Sequence, residues 1–346
     1  MNHCFRDVLL MLLPFAPLSS LLIQAEGTYA LFFSKNNGYS WSRSNTVMSS
    51  DTRINALAST KTTIIAGTDS GIIISTNGAK SWYPAAIPSL GGSRVTSFAN
   101  LNNRIFAGTS EGFLLTTTDD GATWMKNPSF PRRWIRSLHV HTNALYVGTD
   151  ADQVYESSNQ GEGWTHLSAG LPPQAQIFAL TSVGDQLFAG LYAKGLYVWS
   201  RSDRKWLRIG TSANIRPLAL AATGSTLVVG HNPGGIYWSD DLGQNWKRWS
   251  LANAATPFRY ATNLFPSLDP VIITSTASLL DAPIWEMTAN EKFAITGAGD
   301  GIYYSTDRAR TWTSATNGLP ATSTGIAFCL RAELILAAVM KKHGIQ

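Results

Sequence analysis

Residues Thr117-Thr118-Asp119-Asp120-Gly121-Ala122-Thr123-Trp124 carry the pattern that decides the fold. We write this pattern as Ser/Thr-x-Asp/Asn-x-Gly-x-x-Trp and call it the box. Complete or altered copies of the box begin at Ser34, Ser75, Thr117, Ser157, Ser200, Ser239 and Ser305. In the altered copies, Ala309 replaces the Gly, Gly78 stands one residue early, and the box from Ser200 is one residue short. A motif repeated at a fixed interval is typical of a repeat architecture.

The boxes recur at intervals of about 40 residues, which is the period of a four-stranded propeller blade. A second pattern precedes each complete box. It consists of two apolar residues, then Ala or Val, then Gly, and it continues with a polar loop, a second Gly and more apolar residues, as in Ile105–Gly108 and Gly112–Leu115. A further apolar position precedes the first Gly by ten residues, and its occupants are Leu57, Phe98, Leu138, Leu180, Leu220 and Met287. Each repeat therefore predicts four short strands, labelled A to D. We predict an all-β chain that forms a seven-bladed β-propeller of four-stranded antiparallel blades.

These motifs resemble the aspartate boxes, or BNR repeats, of sialidases, sortilin-type receptors, xyloglucan-degrading glucanases and the photosystem II assembly factor of cyanobacteria and plastids. The resemblance extends from Tyr29 to Ile345. It implies that the box is structural: its polar side chains bond the backbone of the C–D turn, its Gly takes a positive φ, and its Trp packs between blades. The box tryptophans are Trp41, Trp82, Trp124, Trp164, Trp206, Trp246 and Trp312.

The two chain ends are predicted to share one blade. Residues Thr324–Ala338 have the pattern of strands A and B, whereas Tyr29–Phe33 has the pattern of strand C and precedes the first box. Pairing the ends in one sheet removes the open edge of a linear array. We predict one propeller domain over residues 26–346, with an insertion near 251–275 where the interval between boxes lengthens.

Residues 1–25 are predicted to be a signal peptide, so the protein is expected to be secreted or periplasmic. Arg6 precedes an apolar stretch that Pro14 and Pro17 interrupt, and Ala25 could mark the cleavage site. We expect no stable membrane insertion after leader removal. An alternative stays open, because residues 21–28 also resemble a degenerate strand B. The chain has two cysteines, so removal of Cys4 would leave no partner for an intrachain disulfide.

Arginines recur where strand A begins, four residues before its apolar position. The occupants of this register are Arg53, Arg94, Trp134, Gln176, Arg216, Pro283 and Thr324, and Arg133 and Arg136 flank Trp134. Strand A is the innermost strand, so these side chains are expected around the mouth of the central channel. Guanidinium groups bind carboxylates and phosphates well. The alternative is that they are solvated strand ends or pair with nearby acids.

The B–C loops are predicted to share the face of that mouth. They carry Asp69, Glu111, Asp150, Asp152, Tyr192, His231 and Asp300. The acids could cap turns or neutralise the arginines, and paired carboxylates could cleave glycosides only at a set separation. His139 and His141 share one strand face, but no third ligand is evident, so no metal and no cofactor are expected.

Two functions remain open. The first is a non-catalytic binding or assembly propeller, expected to be a monomer, that recognises a protein partner or an anionic glycan at its arginine-lined face. The second is a glycoside hydrolase of the sialidase or glucanase type, although the Arg-Ile-Pro motif near the start of sialidases is missing. The net charge of +5 is too small, and the basic residues too little interleaved with aromatics, to indicate nucleic-acid binding.

Overall fold

A computed structural model describes most of the chain. The described residues are 28–36, 39–44, 52–90, 93–151, 154–209, 217–231, 235–248, 257–258, 273–274, 284, 286–291, 293–298, 301–315, 317–320, 323–331 and 334–341. The predicted signal peptide lies outside these residues. So does most of the predicted insertion, from which only the two-stranded sheet of β23 (Pro257–Phe258) and β24 (Ile273–Thr274) is described.

Six four-stranded antiparallel sheets are each built from four consecutive strands, which we call blades 1 to 6. Blade 1 contains β3 (Ile54–Ser59), β4 (Ile64–Thr68), β5 (Ile72–Ser75) and β6 (Tyr83–Pro84). Blade 2 contains β7 (Val95–Leu101), β8 (Arg104–Thr109), β9 (Leu114–Thr117) and β10 (Met125–Lys126). Blade 3 contains β11 (Ile135–His141), β12 (Ala144–Thr149), β13 (Val154–Ser157) and β14 (Thr165–His166). Blade 4 contains β15 (Ile177–Val183), β16 (Gln186–Leu191), β17 (Gly195–Ser200) and β18 (Lys205–Ile209). Blade 5 contains β19 (Pro217–Thr223), β20 (Thr226–His231), β21 (Ile236–Ser239) and β22 (Lys247–Arg248). Blade 6 contains β25 (Glu286–Ala289), β26 (Ala294–Ala298), β27 (Gly301–Ser305) and β28 (Thr313–Ser314).

One more sheet joins the two chain ends. It contains β1 (Thr28–Ser34), β2 (Ser42–Arg43), β29 (Ser323–Arg331) and β30 (Leu334–Lys341), in the order β2-β1-β30-β29. Strands β1 and β30 are antiparallel, with Tyr29 opposite Met340 and Phe33 opposite Leu336. The chain is thus an all-β propeller with six blades of consecutive strands, one fewer than the seven blades predicted, because the remaining box lies in a sheet divided between the ends.

Strand B of each blade is enclosed by protein on both faces. All five residues of β4 are buried, and all six of β12 are buried, whereas β3 alternates between buried and partly buried positions. Strands covered on both faces read as continuous apolar runs rather than alternating ones. This explains why the apolar-apolar-Ala/Val-Gly segment was the clearest strand signal beside the box.

The glycine that ends the strand-B pattern makes room for the next blade. A Cβ atom built on Gly67 would lie 2.6 Å from Cγ1 of Val95, and one on Gly148 would lie 2.6 Å from Cγ2 of Ile177. Val95 and Ile177 are each the first residue of the next strand A. Glycine is therefore required here by close approach between blades.

The box forms the C–D turn of each blade through its own side chains, as predicted. Thr117 Oγ1 donates to Asp119 Oδ1 at 2.6 Å, and the same carboxylate accepts the backbone N–H of Thr123 at 2.9 Å. Gly121 has a φ of 89°. In the box from Ser75 that backbone position belongs to Ala79, with a φ of 68°, since Gly78 precedes it. These bonds satisfy turn backbone groups that strands would otherwise pair.

The box tryptophans pack between neighbouring blades. Trp124 of blade 2 belongs to an apolar cluster with Ile65 and Ile72 of blade 1, and its indole N–H donates to the carbonyl of Gly121 at 2.9 Å. Trp82 and Trp164 are only partly buried, and the other five are buried. Seven of the twelve tryptophans thus serve packing.

Candidate functional site

The inner strands enclose a central channel with a volume of about 460 Å³. Strands β3, β7, β11, β15, β19, β25 and β29 each contribute residues to its wall. Each blade and the sheet that joins the chain ends therefore present one strand to a shared space. A side chain on any of these strands can act together with side chains from several others.

Four of the residues in the predicted register occupy equivalent places at one end of this channel. The carbonyl groups of Arg53, Arg94, Trp134 and Gln176 each accept an N–H from the B–C loop of the same blade, at 3.0 to 3.2 Å. The donors are Asp69, Ser110, Asp150 and Tyr192. The structure thus brings the D–A and B–C loops together at this mouth. Arg216 and Pro283 lie outside the described residues, and Thr324 is in β29.

Four of the described arginines lie near the boundary of blades 2 and 3. Arg94 lies close enough to Arg136 to disfavour its charge. Arg132, which the sequence reading did not single out, donates from Nε to the carbonyl of Glu111 at 2.9 Å. The B–C loop of blade 2 also packs against the backbone of Arg133, because a Cβ on Gly112 would lie 2.5 Å from its nitrogen. We call Arg94, Arg132, Arg133 and Arg136 the arginine cluster.

Arg136 is clamped within this cluster. Its Nε donates to Asp150, and its side chain is only 9% exposed. The guanidinium carbon lies 4.3 Å from the ring centre of Trp134 and 4.4 Å from that of Phe178. Burial lowers the pKa of Arg136, Asp150 opposes this shift, and Arg94 adds to it. Such a guanidinium is held by its surroundings more than it is available to a ligand.

An aromatic stack extends the clamp into blade 4. The rings of Phe178 and Tyr192 stack with their centres 5.1 Å apart and an angle of 25° between their planes. Trp134, Arg136, Phe178 and Tyr192 therefore form one continuous row across two blades, which we call the mouth shelf. A rigid row of flat side chains is a typical binding surface because little side-chain entropy is lost on contact.

Three arginines at the mouth have no carboxylate partner among the described residues. Within that part of the chain, none of Arg53, Arg94 and Arg133 forms an ion pair. Arg133 is exposed, and Arg53 and Arg94 are partly buried. No described carboxylate therefore neutralises these three positive charges beside the shelf.

The described B–C loop acids are engaged by neighbouring side chains. Asp150 binds Arg136, and Glu111 lies 3.7 Å from Arg132. Asp69 accepts a hydrogen bond from Asn55 at 2.8 Å. Asp152 and Asp300 lie outside the described residues. The carboxylates thus neutralise part of the arginine cluster. Arg136 pairs with a nearby acid, as the alternative interpretation predicted, whereas Arg53 and Arg94 have no such pair among the described residues.

The histidines occupy two parts of the propeller. His231 ends strand β20 at the mouth, is 7% exposed and packs edge-on against Tyr237. His139 lines the channel, with Nε2 2.9 Å from the hydroxyl of Ser182. Burial, and secondarily His141, lowers the pKa of His139 to about 4. Among the described residues no group of three or more potential metal ligands occurs.

Residues 21–265 match the family model of the DUF6242 beta propeller domain. The chain belongs to this family. The match begins within the predicted signal peptide, at the segment that also resembles a degenerate strand. No curated protein matches this DUF6242 propeller significantly. No helix among its described residues is long and apolar enough to cross a membrane.

Many solved structures resemble this DUF6242 propeller. YCF48 bound to D1 peptide is 14% identical, with a TM-score of 0.61 over 85% of this chain and 94% of that one. YCF48 from Cyanidioschyzon merolae is 13% identical, with a TM-score of 0.57 over 85% and 96%. The GH74 xyloglucanase from Xanthomonas campestris is 15% identical, with a TM-score of 0.58 over 86% of this chain and 55% of that one. At these identities the likeness shows the fold alone.

Two features of the site were missed in the sequence. Phe178 lies between Arg136 and Tyr192 in the mouth shelf, but it reads as an ordinary strand residue. Glu286 lines the channel just before the apolar position Met287. The aligned repeats did contain a signal for Glu286, because the other blades have Ala or Ser at the equivalent position.

Proposed function

We propose that this DUF6242 propeller is a non-catalytic binding protein whose channel mouth recognises an acidic segment of a protein partner. The observation that carries the proposal is a group of arginines at the mouth, Arg53, Arg94 and Arg133, that form no ion pair among the described residues. Basic groups without local carboxylates attract an acidic ligand over a distance and orient it on contact.

The mouth shelf supports a peptide rather than a bare anion. Its aromatic rings offer flat apolar area next to the charges of Arg94 and Arg133, and interfaces favour such combinations. One structural neighbour, YCF48, is bound to a peptide, which makes a peptide ligand plausible for this fold. An anionic glycan stays the second ligand class.

The test uses a fluorescein-labelled hexaglutamate peptide as the probe, with hexalysine as the charge control. We expect binding that weakens as salt is added, and at least a tenfold loss in the double variant Arg53→Ala, Arg94→Ala. The matched control is Arg43→Ala with Lys205→Ala, which removes two exposed cations from outer strands. Equal loss in both double variants would show that only net charge matters and would overturn the proposed site.

A glycoside hydrolase is the alternative, favoured by the likeness to the GH74 xyloglucanase. Glycoside cleavage needs two carboxyl groups at a set separation, one of them protonated. Asp150 and Glu111 are bound to arginines, and Glu286 is the one carboxyl that lines the described channel wall. A glycan array combined with a hydrolysis assay on the same sugars separates the two functions, since sugar release would replace the binding proposal.

We further propose that the sheet of β29, β30, β1 and β2 is a seventh blade that closes the ring. Its support is the order of its strands and an apolar cluster that contains Phe32 and Ile335 of this sheet together with Ile295 of blade 6. In a Cys4→Ser, Cys329→Ser background, Ala30→Cys with Val339→Cys should form a disulfide, because these residues are register partners. Ala30→Cys with Ala337→Cys is the out-of-register control, and equal cross-linking of both pairs would contradict closure.

Export with leader removal, to the periplasm or outside the cell, remains a proposal that rests on the apolar N-terminal segment. Mass spectrometry of the mature protein should find an N-terminus near Glu26. An intact Met1 on a cytoplasmic protein would favour the degenerate-strand alternative. We also propose a monomer, and light scattering of the purified protein tests this.

A further inference from the structure

Glu286 occupies a register position at which the other inner strands carry small residues. Its backbone is paired with Gly297 of strand B. The equivalent positions, each paired with the corresponding residue of its own strand B, are Ala56, Ser97, Ser137, Ala179, Ala219 and Ala327. One blade thus places a carboxyl group at a level where the other inner strands carry at most a hydroxyl.

The Glu286 carboxyl faces the channel without a partner among the described residues. Within that part of the chain no hydrogen bond or ion pair involves the carboxyl, although the side chain is partly buried and lines the channel. Two other titratable residues line the described wall, and both are engaged: Arg136 by Asp150 and His139 by Ser182. A partly buried carboxyl that faces a cavity and has no described protein partner can receive a hydrogen-bonding group of a ligand.

We propose that the central channel binds a small protonated amine whose ammonium group pairs with the carboxylate of Glu286. The channel volume of about 460 Å³ is in the range of small-ligand pockets. An ammonium group supplies both the charge and the hydrogen-bond donors that the carboxylate lacks. Thr288 lies two residues along the same strand and lines the same wall, so its hydroxyl is available as a further acceptor.

Other ligand classes fit less well. A divalent cation needs several oxygen ligands, whereas the described channel wall offers one carboxyl. The amine site is separate from the proposed acidic-peptide site, because the arginines lie at the mouth and Glu286 lies three residues further along strand A.

Binding of an amine should release a proton. Burial raises the pKa of Glu286 to about 8, so the empty channel holds a neutral carboxyl at neutral pH. An amine remains protonated across this range, as lysine does, and it requires the ionised carboxylate. As the pH increases toward the pKa of Glu286, the affinity for the amine should therefore rise by about tenfold per pH unit. Above that pKa the affinity should level off.

The experiment titrates n-butylamine into the full chain by calorimetry at several pH values, with n-butanol as the uncharged control. We expect butylamine to bind and butanol not to bind, and Glu286→Gln to abolish binding. Glu291→Gln, at an exposed turn of the same blade, should leave it unchanged. Measurements in two buffers of different ionisation enthalpy should show about one proton released per amine near neutral pH.

Two results would overturn the proposal: equal responses to butylamine and butanol, or equal butylamine binding by wild type and Glu286→Gln. The number of protons released is measured on the wild-type protein, so it still tests the proposal if Glu286→Gln fails to fold. Amine binding without proton release would place the amine elsewhere. Loss of hexaglutamate binding in the arginine variants is a separate measurement, so either site can fail alone.

Discussion

The guanidinium carbon of Arg136 lies 4.4 Å from the centre of the Phe178 ring, across the boundary between blades 3 and 4. The ring centre of Trp134 lies 4.3 Å from the same guanidinium carbon, and Asp150 accepts the hydrogen bond from Nε. A charge in contact with rings from two neighbouring blades and bonded to a carboxylate links those blades. Arg136 thus supports the mouth that the freer arginines present.

Loss of the Asp150 charge should destabilise this contact. Asp150→Asn leaves Arg136 buried without its counter-charge, which we expect to lower the free energy of unfolding by about 3 kcal/mol. The matched control is Glu111→Gln, because the Glu111–Arg132 pair is exposed and should contribute less than about 1 kcal/mol. Urea denaturation of both variants measures the difference. Equal effects would show that burial of Arg136 is not what matters.

Trp124 should be a major stabilising residue that has no part in binding. Trp124→Ala removes a buried ring between blades 1 and 2 and should cost about 3–5 kcal/mol. Trp164→Ala should cost less, because Trp164 is partly exposed and its indole N–H has no hydrogen-bond partner. Thermal unfolding gives the comparison, and hexaglutamate affinity of the folded fraction should match wild type. A stable variant without affinity would contradict a structural role for the box.

Gly148 should tolerate no side chain. A Cβ atom there would lie 2.5 Å from Ser137 Oγ and 2.6 Å from Ile177 Cγ2, so Gly148→Ala should destabilise the protein by about 1–3 kcal/mol through overpacking. Gly163→Ala is the control, because its nearest neighbour is the flexible amide of Asn159 at 3.1 Å. Chemical denaturation should rank the two variants. A neutral Gly148→Ala would mean that the blades separate easily.

His139 should make the protein less stable in acid. Its folded-state pKa of about 4 lies below the ordinary value of 6.5, so the unfolded chain takes up a proton first as the pH falls. The contribution is fully present above about pH 6.5 and is lost progressively down to about pH 4, up to a total of about 3 kcal/mol. His139→Gln should flatten this part of the stability profile, whereas His166→Gln, at an exposed outer strand, should not. Denaturation curves at several pH values measure the slope.

The structural role of the box in the C–D turn could be expected from the sequence because its interactions are local. Asp119 bonds residues within four positions of itself, so spacing alone determines which groups meet. The predicted blade order and the equivalence of Arg53 and Arg94 follow from the same regular spacing. Even the pairing of the chain ends could be anticipated, because each end carries the half of the repeat pattern that the other lacks.

Only the tertiary structure decided which side chains meet across blades. Arg136 and Phe178 are far apart in the chain, and their stacking depends on the angle between two sheets, which no local pattern encodes. The same is true of the charge balance at the mouth, where Asp150 cancels Arg136 and no described carboxylate cancels Arg94. In the aligned repeat, Glu286 is one unusual residue. Only the structure places it in the wall of a channel that residues of seven strands line. Repeat spacing specifies contacts within a blade, whereas burial and charge compensation depend on how the blades are arranged about their axis.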